Sequence, residues 1–165
     1  METGIDRNDF KNAVGSFVTG ITVVSATSDL GPVGFTCQSF TSLSLNPPMI
    51  LISVAKTSRT YLTISQCKRF CVNILGVDAE AIARDFADVE PETRFVKHPW
   101  KMNSGGNPVL EAALAWLDCD LSEAIDVEDH LIILGLVLAV GCSESSTDPL
   151  AYFRGSFGGF KKLSG

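Results

Sequence analysis

From Leu131 to Val140 the chain runs through ten uncharged residues, nearly all of them branched and apolar, interrupted only by Gly135. A run of this kind must be buried, yet it falls well short of the roughly 20 residues that a membrane-spanning helix needs. Read as a strand it is long for a globular protein, and Gly135 marks a bend or bulge within it. The rest of the fold has to supply partners for such a strand.

Those partners are visible along the sequence. Ile21 to Thr27 is β-branched, Asp29-Leu30-Gly31-Pro32 is turn chemistry, and Val33 to Thr36 resumes strand character, which predicts a hairpin. Pro47-Pro48 precedes Met49 to Ala55, a run of strand length between breakers, and Arg69 to Leu75 and Leu114 to Leu121 read the same way. Leu150 to Phe157 is the last. Helical spacing is confined to three short stretches: residues 6–18, with Asp6 as N-cap and Phe10, Val14 and Phe17 on one face; Ser58 to about Cys67; and Asp78 to Ala87. Asp88 to Pro108, polar and holding three prolines and Gly105-Gly106, reads as a long connection with the character of a lid. About six strands and three short helices, joined mostly by hairpin-like turns, predict a mainly β fold, an antiparallel barrel with helices at its rim. With 165 residues and no repeat or linker composition, residues 1–165 are expected to form one domain.

Composition narrows the function. Thirteen Lys and Arg against nineteen Asp and Glu leave a net charge of -6, the wrong sign for a protein that lives on nucleic-acid phosphates or an anionic membrane surface. Any anionic ligand must be held locally. The five cysteines form no C-x-x-C pair and only two histidines accompany them, so no zinc-site spacing can be assembled and no metal is expected. Free thiols, and an N-terminal stretch with no basic segment followed by an apolar one, predict a cytoplasmic protein. No G-x-S-x-G, Walker-type loop, H-E-x-x-H or G-x-G-x-x-G is present, which removes the usual support for a serine hydrolase, a phosphate-loop NTPase, a zincin or a dinucleotide fold.

Two clusters remain. Gly34 to Pro48 is rich in hydroxyls and can present hydrogen-bond donors to the edge of a planar heterocycle against an apolar wall of Phe35, Phe40 and Leu43; the same composition also suits a Ser/Thr-rich strand edge and turn. Ala55 to Thr60 places Lys56, Thr57, Ser58, Arg59 and Thr60 where a strand feeds a helix N-terminus, which makes either a phosphate cradle or a capped helix with a solvated basic end. His130, preceded by Asp126 to Asp129, can serve as an anion contact or a proton donor, or be a structural residue beside a solvated turn.

Taken in order, Gly15 to Val24, Gly34-Phe35-Thr36-x-x-Ser39-Phe40-x-Ser42-Leu43-Ser44-Leu45-x-Pro47-Pro48, Ser58-x-Thr60, Phe70-x-Val72-Asn73-Ile74-Leu75, Asp129-His130 and Pro149-Leu150-x-Tyr152-x-x-Gly155 resemble the short-chain flavin reductases, over nearly the whole chain. The resemblance implies an FMN-binding split β-barrel, a homodimer, and reduction of free FAD or FMN by NADH, with NADPH less favoured, for a partner flavin-dependent monooxygenase. It places Thr36, Cys37, Gln38 and Ser39 along the flavin ring and ribityl chain, with Ser53, Val54 and Ala55 on the adjacent strand. Ser58, Arg59 and Thr60 become the phosphate anchor. His130 falls at a contact to the nicotinamide nucleotide, with Tyr152 near that region, and no side chain is assigned a catalytic proton transfer. Glu128 departs from the family pattern, which has Gly before the Asp-His pair. The alternatives are an electron carrier on the same barrel that retains its flavin, and a flavin-free structural barrel.

Overall fold

The computed structural model describes residues 4–144 and 147–161, so the first three residues of the N-terminal stretch lie outside it. In chain order the elements are α1 (Arg7–Val14), β1 (Thr19–Gly20), β2 (Thr22–Ser28), β3 (Gly31–Cys37), β4 (Thr41–Leu45), β5 (Pro48–Ala55), α2 (Arg59–Cys67), β6 (Arg69–Leu75), α3 (Glu80–Asp88), α4 (Pro91–Lys97), β7 (Trp100–Met102), β8 (Pro108–Leu110), β9 (Ala113–Val127), β10 (His130–Cys142), β11 (Leu150–Phe153) and β12 (Ser156–Gly159). Seven of the strands form one antiparallel sheet in the order β3-β2-β6-β9-β10-β5-β4, flanked by a three-stranded sheet β1-β11-β12 and the hairpin β7-β8.

The long apolar run is β10, the second-longest strand. It pairs with β9 on one side and β5 on the other, and the β9 register slips between Leu134 and Gly135, the bulge expected there. A Cβ at Gly135 would come within 2.6 Å of Phe70 Cζ, so the bulge also lets the Phe70 ring into the interior. One core lies inside the barrel, with Ile50, Ile52, Val54, Phe70, Val72 and Ile133 at its centre. The other lies between the barrel wall and α3 and α4, around Phe86, Phe95 and Leu110.

The hairpins, β5, β6, α2 and α3 fall where the sequence puts them, with Ser58 accepting from the Tyr61 N–H as N-cap. Four readings change. Leu150 to Phe157, read as one strand, is the hairpin β11-β12 turning at Arg154-Gly155. The segment from Asp88 to Pro108 is not a loose lid: Pro91 opens α4, and β7 and β8 form a hairpin fixed to the barrel. Asp118, 2% exposed, holds that hairpin by accepting from Asn103 Nδ2 (3.0 Å), Asn107 Nδ2 (2.8 Å) and Arg69 Nη2 (2.8 Å). Arg69 Nε stands 3.1 Å from Asp120 but makes no well-angled hydrogen bond. The polar stretch after Cys37, open between a ligand loop and a strand edge, forms an edge strand, β4, beside β5. Finally, α1 forms and is capped by Asp6 but ends at Val14, so Phe17 lies beyond it, and none of its residues is buried among the described residues: Phe10 is 58%, Val14 52% and Phe17 75% exposed.

Between β9 and β10, Val127 faces His130 across the two-residue turn Glu128-Asp129. Glu128 has φ 50° and Asp129 has no positive φ, the pattern of a turn whose first position favours glycine. Replacing Glu128 with Gly (E128G) is expected to raise the unfolding free energy by about 1 kcal/mol, because a side chain in this region costs that much. Urea denaturation checks this; an unchanged midpoint would show that the turn carries no strain.

Candidate functional site

The barrel is split between β3 and β5. There the backbone ladder is replaced by one side chain: Ser39 Oγ accepts from the Ser53 N–H (2.8 Å) and donates to the Ser53 carbonyl (2.9 Å). A cavity of about 660 Å³ opens along this split. Its lining brings together Thr36, Cys37, Gln38 and Ser39 from the end of β3, Ser53, Val54 and Ala55 from the end of β5, Ser58, Arg59 and Thr60 at the start of α2, and His130 at the start of β10.

Local chemistry explains each placement. β5 ends at Ala55, whose partner on β10 is His130, so the register of two apolar strands carries the imidazole to the cavity. Ser58 ends the turn after β5 by capping α2, and the N-terminal end of that helix opens on the cavity through Ser58, Arg59 and Thr60. The first N–H groups of a helix have no intrahelical acceptor and carry the positive end of its dipole, so this end attracts an anion. Lys56 contributes less than its position in the sequence suggests. Its ammonium is 2.5 Å from Asp126, and it does not line the cavity.

The side chains differ in what they have left to offer. The Thr36 hydroxyl donates to the Ala83 carbonyl (2.6 Å) and so ties β3 to α3, leaving its backbone and methyl to the cavity. Cys37 is buried with its sulfur 3.2 Å from Ser39 Oγ; burial pushes the thiol up from its usual value, and it stays protonated at neutral pH. His130 Nδ1 is 2.7 Å from Asp129 Oδ1, a contact that holds the Asp129 carboxyl below the usual carboxylate range and fixes which ring nitrogen faces outward.

Tyr152 is not among the lining residues. It faces a neighbouring cavity of about 850 Å³ with Lys11, Phe17 and Arg154, which meets the first at Gln38 and Ser39. The sequence reading also missed Phe86, Ala87 and Arg94, which close the far wall of the first cavity. Arg94 Nη1 donates to the Gly34 carbonyl (2.7 Å) and its Nε to the Val89 carbonyl (2.8 Å), so the guanidinium fastens α4 to β3 and to the end of α3. Pro91 at the first helical position was the available signal for α4.

The polar lining fits a phosphorylated planar ring: the Gln38 amide and the hydroxyls of Ser53 and Thr57, an apolar wall at Phe35, Val54 and Phe86, and an anion-attracting helix end with Arg59. Comparison with known proteins agrees with that chemistry. Residues 14–161 match the model of the flavin reductase like domain. The reductase subunit HsaB of a flavin-dependent monooxygenase from Mycobacterium tuberculosis is 36% identical over 162 residues, 98% of this chain and 86% of its own. SmoA of Agrobacterium fabrum, an FMN reductase (NADH), is 37% identical over 159 residues, 96% of this chain and 89% of its own. Among solved structures, the NADH:FAD oxidoreductase SgcE6 of Streptomyces globisporus superposes with a TM-score of 0.90 at 30% identity, covering all of this chain and 94% of that one. The chain belongs to the flavin reductase-like family, and its fold is that family's split barrel.

Proposed function

We propose that this protein uses NADH to reduce free flavin and releases the reduced flavin to a separate monooxygenase. The observation that carries the reading is the single cavity onto which β3, β5, the start of α2 and His130 all open. Arg59 and the α2 end would hold the flavin phosphate, Gln38, Ser39 and Ser53 the ring edge and ribityl chain, and Val54 and Ala55 the ring face. The bound cofactors supply hydride transfer from nicotinamide to flavin, so the chain's task is to hold two rings together and set the charge around them. The names of HsaB and SmoA support the reductase role and NADH as donor. Asp129 stands 2.7 Å from His130 Nδ1 and Glu128 precedes it in the turn, negative charge that disfavours the extra phosphate of NADPH. We also propose that the protein works as a homodimer through the exposed apolar face of α1 and Leu45, which is 93% exposed.

The test is the absorbance of NADH with purified protein, with and without added FMN, FAD or riboflavin. Oxidation that depends on added flavin is expected; a tightly coloured protein inert to NADH and NADPH would instead mark an electron carrier. His130→Ala is expected to raise the KM for NADH about tenfold, the loss of one charge-assisted contact, with kcat within about threefold. Abolished turnover at saturating NADH with flavin binding intact would show that the imidazole does more than position the nucleotide.

A further inference from the structure

β4 and β5 pair until Thr41 faces Leu51, and two residues further on Ser39 comes opposite Ser53. A ladder continued to that point would use backbone N–H and C=O groups from both chains. Instead the chain leaves β5 here to join β3, and the Ser39 hydroxyl alone takes both Ser53 groups, accepting from the N–H and donating to the carbonyl. A hydroxyl has one proton and two lone pairs. With the proton on the Ser53 carbonyl and one lone pair filled by the Ser53 N–H, the Cys37 sulfur, 3.2 Å away, can only be a donor. Cys37 is 3% exposed and its burial keeps the thiol protonated, while Thr22 Oγ1 donates to its carbonyl (2.9 Å) and fixes its backbone. Between Cys37 and Ser39 stands Gln38. It lines the first cavity and two neighbouring ones, of about 850 and 160 Å³, and its amide makes no hydrogen bond among the described residues.

We infer that Cys37 and Ser39 are positioning residues: a relay from thiol to hydroxyl to the Ser53 carbonyl pins the corner between β3 and β4 against β5, so that the Gln38 amide meets the flavin ring edge at one fixed place. The inference rests on the flavin reductase reading and deepens it. The relay crosses the split where no backbone ladder does, so without it the corner and β5 are free to part. A hydroxyl held by three partners keeps one rotamer, and each partner removed widens its choice. The thiol therefore acts through Ser39 and Gln38, with no part of its own in the transfer of hydride.

Dissociation constants for FMN and riboflavin, measured by flavin fluorescence with the full chain, test it beside urea midpoints. Ser39→Ala is expected to weaken both flavins about tenfold, because two Ser53 groups lose their partner and the ring contact shifts. Cys37→Ala should weaken both about threefold, the worth of one weak donor. Cys37→Ser loses packing as alanine does but still donates, so it should bind both flavins within about twofold of the unaltered protein. The KM for NADH at saturating FMN should stay within about threefold in all three variants. In the infrared, the Cys37 S–H band, isolated by subtracting the Cys37→Ser spectrum, should lie at a hydrogen-bonded frequency and move to the free one in Ser39→Ala. Three results overturn the relay: affinities that follow the urea midpoints, with Cys37→Ser no better than Cys37→Ala; a Ser39→Ala loss confined to FMN; or an S–H band already free in the unaltered protein. If the unaltered protein binds both flavins but leaves NADH unoxidised, the reductase reading falls while the relay stands on the affinities; failure to bind any flavin overturns both.

Discussion

Reversing the charge at Arg59 (R59E) is expected to weaken FMN binding about a hundredfold, since one good charge-assisted phosphate contact is replaced by repulsion. Riboflavin, which lacks the phosphate, should lose no more than about threefold, a difference of roughly 0.6 kcal/mol at most. The contrast isolates the anchor from the ring site. In a chain of net charge -6 the anchor depends on a few local features: Arg59, the N-terminal end of α2 and the hydroxyls of Thr57 and Ser58. Lys56 cannot substitute for Arg59, because it does not line the cavity. The effect should shrink in high salt, since Arg59 is exposed. Equal losses for FMN and riboflavin would mean that Arg59 shapes the cavity rather than holding a phosphate.

The second large effect is structural. Asp118→Ala is expected to lower the unfolding free energy by about 3 kcal/mol, the usual cost of removing one partner from a buried charged cluster. Three donors, from Arg69, Asn103 and Asn107, would lose their common acceptor. Gly105 sits so tightly over Asp118 that a Cβ there would fall 1.9 Å from its Oδ2, so the hairpin backbone closes directly over the carboxylate. Urea denaturation followed by circular dichroism gives the number; a loss under about 1 kcal/mol would class the cluster with solvent-screened surface pairs. The variant should also loosen the β7-β8 hairpin and with it Trp100.

These two sites differ in how far the sequence revealed them. The start of α2 was legible because its signals are local: breakers before β5, a strand of fixed length, then Ser58 in capping position with Arg59 and Thr60 after it. The Asp118 cluster was not, because its members lie on three elements and Asp118 sits in an alternating strand where every second residue points outward by default. The same limit explains the segment from Asp88 to Pro108. Its prolines and glycines are true turn signals, but they punctuate a short helix and a hairpin held down by residues far away in the chain. Phe10 and Val14 share a helix as their spacing predicts, but the helix stops before Phe17, and periodicity says nothing about what covers that face. His130 was brought to the cavity by the pairing of β10 with β5, a register that neither strand's sequence states alone.

Arg94, which fastens α4 to β3, has another effect through its position. β3 is the outermost strand of the seven-stranded sheet on its side, and an uncovered outer strand is a template on which a neighbouring molecule can add its own. The Arg94 guanidinium occupies the Gly34 carbonyl, and the Thr36 hydroxyl draws α3 against the same strand. The outer strand beside the ligand split is thereby covered by α3 and α4 instead of standing open to an added strand.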